Sequence, residues 1–170
     1  MKNSLMAALL GCVLAAPLFA HAEDSYVSVS VGKSKYDVPG SHEDATGVGI
    51  AYGQSITDMV GYEVGYVHFG SISPIPNAKL ETQSFYLSGV GTYPLSETFS
   101  VYGKLGATVN RYTGELDGEK GKETKLRPML GAGVGYKFNK EWSAGLEYVY
   151  FGEYADLKMS MWSANLRYHF

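Results

Sequence analysis

The chain has 170 residues, 14 Lys or Arg against 17 Asp or Glu, a net charge of −3, 14 Tyr, 21 Gly and a single Cys. Mild acidity argues against a nucleic-acid binder, whose footprint is a basic patch. One cysteine excludes an internal disulfide framework, and past the N-terminal run no segment reaches the apolar length of a membrane helix.

The N-terminus reads as an export signal. Lys2 supplies a positive start, Leu5 to Leu18 is mostly apolar, and Ala20-His21-Ala22 fits small-x-small cleavage. The expectation is a signal peptide over 1–22 and a mature domain over 23–170. Cleavage there removes Cys12, and with Lys2 gone the net charge moves from −3 to −4. A lipoprotein site at Leu9-Leu10-Gly11-Cys12 is the rival, but its apolar core would run only from Leu5 to Gly11.

After the signal, residues alternate with the period of two that marks strands. Strand one is expected over about 25–36, with Val27, Val29 and Val31 on one face and Tyr26, Ser28, Ser30 and Gly32 on the other. A polar loop follows at 37–44. Strand two, about 45–54, sets Val48, Ile50 and Tyr52 against Gly47, Gly49, Ala51 and Gly53. After a short link, strand three runs over about 59–69, with Val60, Tyr62, Val64 and Tyr66 opposing Gly61, Glu63 and Gly65. Pro74 and Pro76 break a loop at 71–78. Strand four, about 79–93, alternates least cleanly, and Pro94-Leu95-Ser96-Glu97 makes a tight turn.

Strand five is expected over about 99–112, and a charged, Gly-rich loop over 113–122. Strand six covers about 123–138 with Leu130, Ala132, Val134 and Tyr136 outward; Pro128 should lie near a rim, since it cannot donate to a ladder. Asn139-Lys140-Glu141 is short. Strand seven, about 142–151, sets Ala144, Leu146, Tyr148 and Tyr150 against Ser143, Gly145 and Glu147. A medium link at 152–156 leads to the last strand. There Trp162, Ala164, Leu166, Tyr168 and Phe170 share one face, and Met161, Ser163, Asn165, Arg167 and His169 share the other.

Eight strands with alternating long and short links predict an all-β protein: an eight-stranded antiparallel up-and-down transmembrane β-barrel. Long links face outward and short turns face the periplasm in such barrels, which puts the N- and C-termini on the periplasmic side of the cell outer membrane. A soluble lipocalin-like barrel has the same period with its faces reversed. The aromatic C-terminal residue, the Tyr-rich apolar face and the loop asymmetry favour the membrane form.

The segments Gly47-Val48-Gly49-Ile50-Ala51-Tyr52-Gly53, Val60-Gly61-Tyr62-Glu63-Val64-Gly65-Tyr66, Tyr93-Pro94-Leu95-Ser96-Glu97, Val101-Tyr102-Gly103-Lys104-Leu105-Gly106, Gly133-Val134-Gly135-Tyr136 and Gly145-Leu146-Glu147-Tyr148 resemble, in order, those of the OmpA-type transmembrane barrel family. In length the chain is closer to the small OmpX/Ail-like barrels, often associated with adhesion or serum resistance. No counterpart of the peptidoglycan-binding domain of full-length family members is expected. The resemblance implies a lumenal salt-bridge cluster, with Glu63, Lys104 and Glu147 at matching positions. Val90 and Gly145 stand where the family has inward cations, and Arg167 is the candidate substitute. It also implies that the barrel-assembly machinery reads a terminal strand such as this one, through Leu166, Tyr168 and Phe170, with periplasmic chaperones as transient partners.

Alternation alone places Glu63, Lys104, Glu147 and Arg167 on inward faces, where a charge away from bulk water needs a partner. They make either a structural plug or a gated narrow ion path. Basic residues gather toward the long-loop end, and Lys79, Arg127 and Lys158 are candidates for lipopolysaccharide phosphates; acidic residues in the same loops allow a plain solvated surface instead. Gly131-x-Gly133-x-Gly135 lies within a strand, so it is not a nucleotide loop, which needs a helix after it. His42, His68 and His169 have no catalytic spacing, so no enzyme, cofactor or metal is expected. The expected role is structural and surface-interacting, with loops at 37–44, 71–78, 113–122 and 152–156 available to a host-surface ligand. A narrow channel for ions or small solutes is the alternative.

Overall fold

The computed structural model describes residues 25–38, 41–72, 78–116, 119–154 and 157–170; side chains are described over these except at 37–42, 78–80, 115–120, 154 and 157. The export signal expected over 1–22, with the rival site at Cys12, lies outside the described residues.

The strands are β1 (Ser25–Val38), β2 (Ser41–Ser55), β3 (Val60–Ile72), β4 (Ala78–Pro94), β5 (Phe99–Leu116), β6 (Glu119–Lys137), β7 (Trp142–Tyr154) and β8 (Leu157–His169). Each pairs with its sequence neighbours, and β1 pairs with β8 from Tyr26↔His169 to Asp37↔Lys158, so the sheet closes on itself. Closure satisfies the backbone groups that an open edge would leave facing hydrocarbon.

The apolar face points out. Val29, Val64, Leu87, Leu105, Leu130, Leu146 and Leu166 are exposed, while Ser28, Ser84, Ser88, Thr108, Asn110 and Asn165 are buried inside. That orientation rules out the lipocalin-like alternative. On β5 the outward apolar run goes from Phe99 to Val109, with Arg111 beyond it. Ten steps of about 3.4 Å, tilted by about 40°, span roughly 26 Å, close to the ~25 Å apolar band of an outer-membrane barrel. Aromatic pairs rim the band: Phe99–Tyr136 and Trp142–Tyr168 at one end, Tyr66–Phe85 and Tyr148–Trp162 at the other.

The short-turn end is built three times from one device. Thr57 Oγ1 accepts from the Val60 amide, Ser96 Oγ from Phe99 and Asn139 Oδ1 from Trp142, at 3.0, 3.0 and 2.8 Å. A side-chain acceptor three residues before the strand resumes fixes the turn.

The other end departs from the sequence reading. Within the stretches expected to be loops at 37–44, 71–78, 113–122 and 152–156, the described residues are strand. β1 and β2 pair up to Val38↔Ser41, and β5 and β6 pair through Gly114↔Gly121 to Leu116↔Glu119. Apolar alternation ends where lipid ends, but a ladder needs only backbone groups and continues into water. β4 also proves regular: Thr82, Ser84, Tyr86, Ser88 and Val90 all point inward. Its pattern was hard to read because Gly89 and Gly91 take outward places while Tyr86 and Val90 take inward ones.

Candidate functional site

Four strands bring Glu63, Lys104, Glu147 and Arg167 together inside the lumen. Lys104 Nζ lies 2.6 Å from Glu63 Oε1 and 2.9 Å from Glu147 Oε2. All three residues are buried, at 1%, 5% and 8% exposure for Glu63, Lys104 and Glu147. Arg167 Nη2 stands 4.0 Å from Glu147 Oε2. Its guanidinium is held mainly by aromatic faces, 4.4 Å from the Tyr102 centroid and 5.3 Å from that of Tyr26. Two carboxylates against two cations make the cluster formally neutral, which limits the cost of enclosing it.

Tyrosines complete the shell. Tyr26 and Tyr86 hydroxyls donate to the two oxygens of Glu63, each at 2.7 Å, and Tyr102 donates to Glu147 Oε2 at 3.1 Å. Asn165 Nδ2 in turn donates to Tyr102 Oη at 3.1 Å. Beside the cluster is a cavity of about 20 Å³ lined by Ser28, Tyr86, Lys104, Glu147, Asn165 and Arg167. It has room for about one water.

At Gly145 the departure from the resembling family has a steric basis. A Cβ on Gly145 would lie 2.9 Å from Val134 O and 3.0 Å from Asn165 Oδ1, so a long cation cannot start there. Arg167, on the neighbouring strand, brings the charge instead.

The sequence reading missed the tyrosines. A signal for them exists: each stands opposite an inward glycine on the next strand, as Tyr26↔Gly53, Gly65↔Tyr86 and Tyr102↔Gly133. The ring lies flat over the space the glycine leaves. A Cβ on Gly65 would sit 2.5 Å from Tyr86 Cζ, whereas one on Gly91 would meet nothing within 4 Å. Gly65→Ala should therefore cost about 1–3 kcal/mol through overpacking, and Gly91→Ala should be neutral or mildly stabilising, as read from urea unfolding in lipid vesicles.

The other candidate positions do not converge. The Lys79 side chain lies outside the described residues. Arg127 shares inward parity with Met129 and Gly131, and its Nη1 donates to Leu126 O at 3.1 Å; it does not face lipid. Lys158 is exposed and 4.0 Å from Glu153 Oε2. Lys33 lies 3.5 Å from Asp44 Oδ2, and Lys125 lies 2.7 Å from Glu123 Oε1. His68 faces outward 3.8 Å from Glu81, and His169 Nε2 is 2.8 Å from Ser143 Oγ at the other end of the barrel. The His42 side chain lies outside the described residues. Leu166, Tyr168 and Phe170 form one exposed outward row, with Tyr168 against Trp142 and the Phe170 amide bonded to Ser25 O at 2.9 Å.

Comparison with known proteins agrees with the barrel fold. The chain is 27% identical over 170 residues to outer membrane protein A of Yersinia pseudotuberculosis, covering 90% of this chain and 48% of the relative. It is 28% identical over 141 residues to the Shigella dysenteriae protein of the same name, covering 72% and 40%. It thus spans about half the length of the curated relatives it matches, or less. Among solved structures, Neisserial surface protein A superposes with a TM-score of 0.73 at 19% identity, covering 86% of this chain and 97% of that one. Ail of Yersinia pestis superposes with a TM-score of 0.68 at 17% identity, covering 88% and 99%. At these identities the structures show the shared fold. Residues 5–170 match the family described as the outer membrane protein beta-barrel domain, and the chain belongs to that family as an integral outer-membrane barrel.

Proposed function

We propose that the protein is a surface-interaction barrel, with a closed lumen and with hairpins presented to the cell exterior. The observation that carries this reading is the asymmetry of the two ends. Three tight capped turns close one end, while β5 and β6 run past the apolar band at the other, from Arg111↔Thr124 to Leu116↔Glu119. Recognition usually resides in such segments on a rigid scaffold. The long-hairpin end then faces outward, both termini face the periplasm, and the mature chain begins at Glu23.

Ail of Yersinia pestis has been crystallised with the heparin analogue sucrose octasulfate. Sulfated glycan is accordingly a ligand class to try, alongside lipopolysaccharide, for exposed Lys33, Lys35, Arg111 and Lys158. Hairpins shortened at 113–122 and 37–44 should lower adhesion of expressing cells to heparin-coated or matrix-coated surfaces about tenfold, with the barrel still folded by circular dichroism. Undiminished adhesion in every folded truncation would reject the reading.

The second reading, a narrow ion or solute path, rests on the four charges that line the lumen. It requires the pairs of Lys104 to open, and bilayer conductance of the unaltered protein tests it.

A further inference from the structure

Two phenylalanines meet across the barrel at the points where its ladders break. Pairing between β2 and β3 runs upward only to Val48↔His68, and pairing between β6 and β7 only to Leu130↔Tyr150. The next residues are Phe69 and Phe151. Each precedes a glycine with positive φ, Gly70 at 79° and Gly152 at 85°. Register shifts between His68 and Ser71 and between Tyr150 and Glu153 mark both places as β-bulges. A side chain at either glycine would be strained: its Cβ would lie 2.6 Å from Thr46 O at Gly70 and 2.6 Å from Arg127 Cβ at Gly152.

β3 and β7 are four strands apart in the ring of eight, hence on opposite walls. The two rings still touch, edge to face, with centroids 4.8 Å apart and planes at 88°. Their exposures are 0% for Phe69 and 2% for Phe151. The carbonyls released by the bulges are both recaptured from two strands away. Ser34 Oγ on β1 donates to Phe69 O at 2.6 Å, and Asn110 Nδ2 on β5 donates to Phe151 O at 2.9 Å. β1 and β5 are also four strands apart, so the whole arrangement repeats about the barrel axis. Tyr36, Met129 and Met159, all at 1% exposure, pack the same apolar core. Tyr86 links this layer to the charges below it: its hydroxyl reaches Glu63 and its ring lies 6.3 Å from that of Phe151.

We propose that Phe69 and Phe151 form an apolar gate in series with the charge cluster, a second seal on its long-hairpin side. An ion at the cluster meets carboxylates, hydroxyls and an ammonium that can stand in for water. At the phenyl pair the Ser34 hydroxyl and the Asn110 amide are already spent on the carbonyls of Phe69 and Phe151, and an apolar constriction expels water. Opening the salt bridges alone therefore leaves the lumen shut. Ser34 and Asn110 are positioning residues that hold the two bulges. This assignment does not depend on what the external hairpins bind.

The test is planar-bilayer conductance of four refolded proteins: the unaltered chain, Glu63→Ala with Lys104→Ala, Phe69→Ala with Phe151→Ala, and all four substitutions together. The cluster pair is chosen to be charge-neutral, leaving Glu147 with Arg167. Only the fourfold protein should conduct, at least tenfold above the bilayer background of the other three. Conduction by the unaltered protein or by either pair alone overturns the series arrangement. A folded fourfold protein that stays at background overturns the phenylalanines as the remaining barrier. Phe69→Val with Phe151→Val, read by the same criteria, replaces the alanine pair if circular dichroism shows that it does not refold.

Discussion

Lys104→Met should destabilise the folded barrel by about 3–5 kcal/mol, the cost of breaking a buried ion pair by removing one partner. The ammonium lies within 2.9 Å of Glu147 Oε2 and 2.6 Å of Glu63 Oε1, so one substitution strips two buried carboxylates of their main cation. Arg167 does not take its place. It stands 4.0 Å from Glu147 and is held between the rings of Tyr26 and Tyr102. The cavity alongside is about 20 Å³, room for about one water and not for a hydration shell. Adding Glu63→Gln to Lys104→Met should recover a good part of the loss, because the most deeply buried charge then disappears as well. Trp142 and Trp162 provide the fluorescence signal for urea unfolding in vesicles. A loss below about 1 kcal/mol, the scale of a solvated surface pair, would mean that the lumen is wet.

The convergence of these four charges was legible before any coordinates, and so was the side each strand turns to lipid. Alternation put the four charges on inward faces, the family resemblance implied that they cluster, and the terminal aromatic, the Tyr-rich apolar face and the loop asymmetry chose the side turned to lipid. The tyrosine shell was not, because Tyr26, Tyr86 and Tyr102 look like barrel aromatics until the glycine opposite each is aligned by register. Alternation also stops β3 at Phe69 and β7 at Phe151, since a glycine and then polar residues follow each. The chain instead bulges at Gly70 and Gly152 and continues as strand. The outer ladders were hidden for a related reason: past the membrane the outward face no longer needs to be apolar, so the pattern disappears while the pairing persists.

Leu105→Arg should cost about 2–4 kcal/mol in a lipid bilayer, the penalty for a cation at the midplane on the outer face of a barrel. Leu105 is 67% exposed and lies midway along β5 between outward Phe99 and outward Arg111. Its neighbours in register are Gly89 and Leu130, neither of which offers a carboxylate. The guanidinium would have to reach about 13 Å to either headgroup layer, half of the ~25 Å band, farther than its side chain extends. Val31→Arg provides the control, because Val31 is 54% exposed but next in its outward row to Lys33, near the rim; there the cost should fall to about 0–1 kcal/mol. Urea unfolding of both variants in vesicles gives the comparison. Equal costs at the two positions would place Leu105 in water, and the apolar face could then no longer be the lipid face.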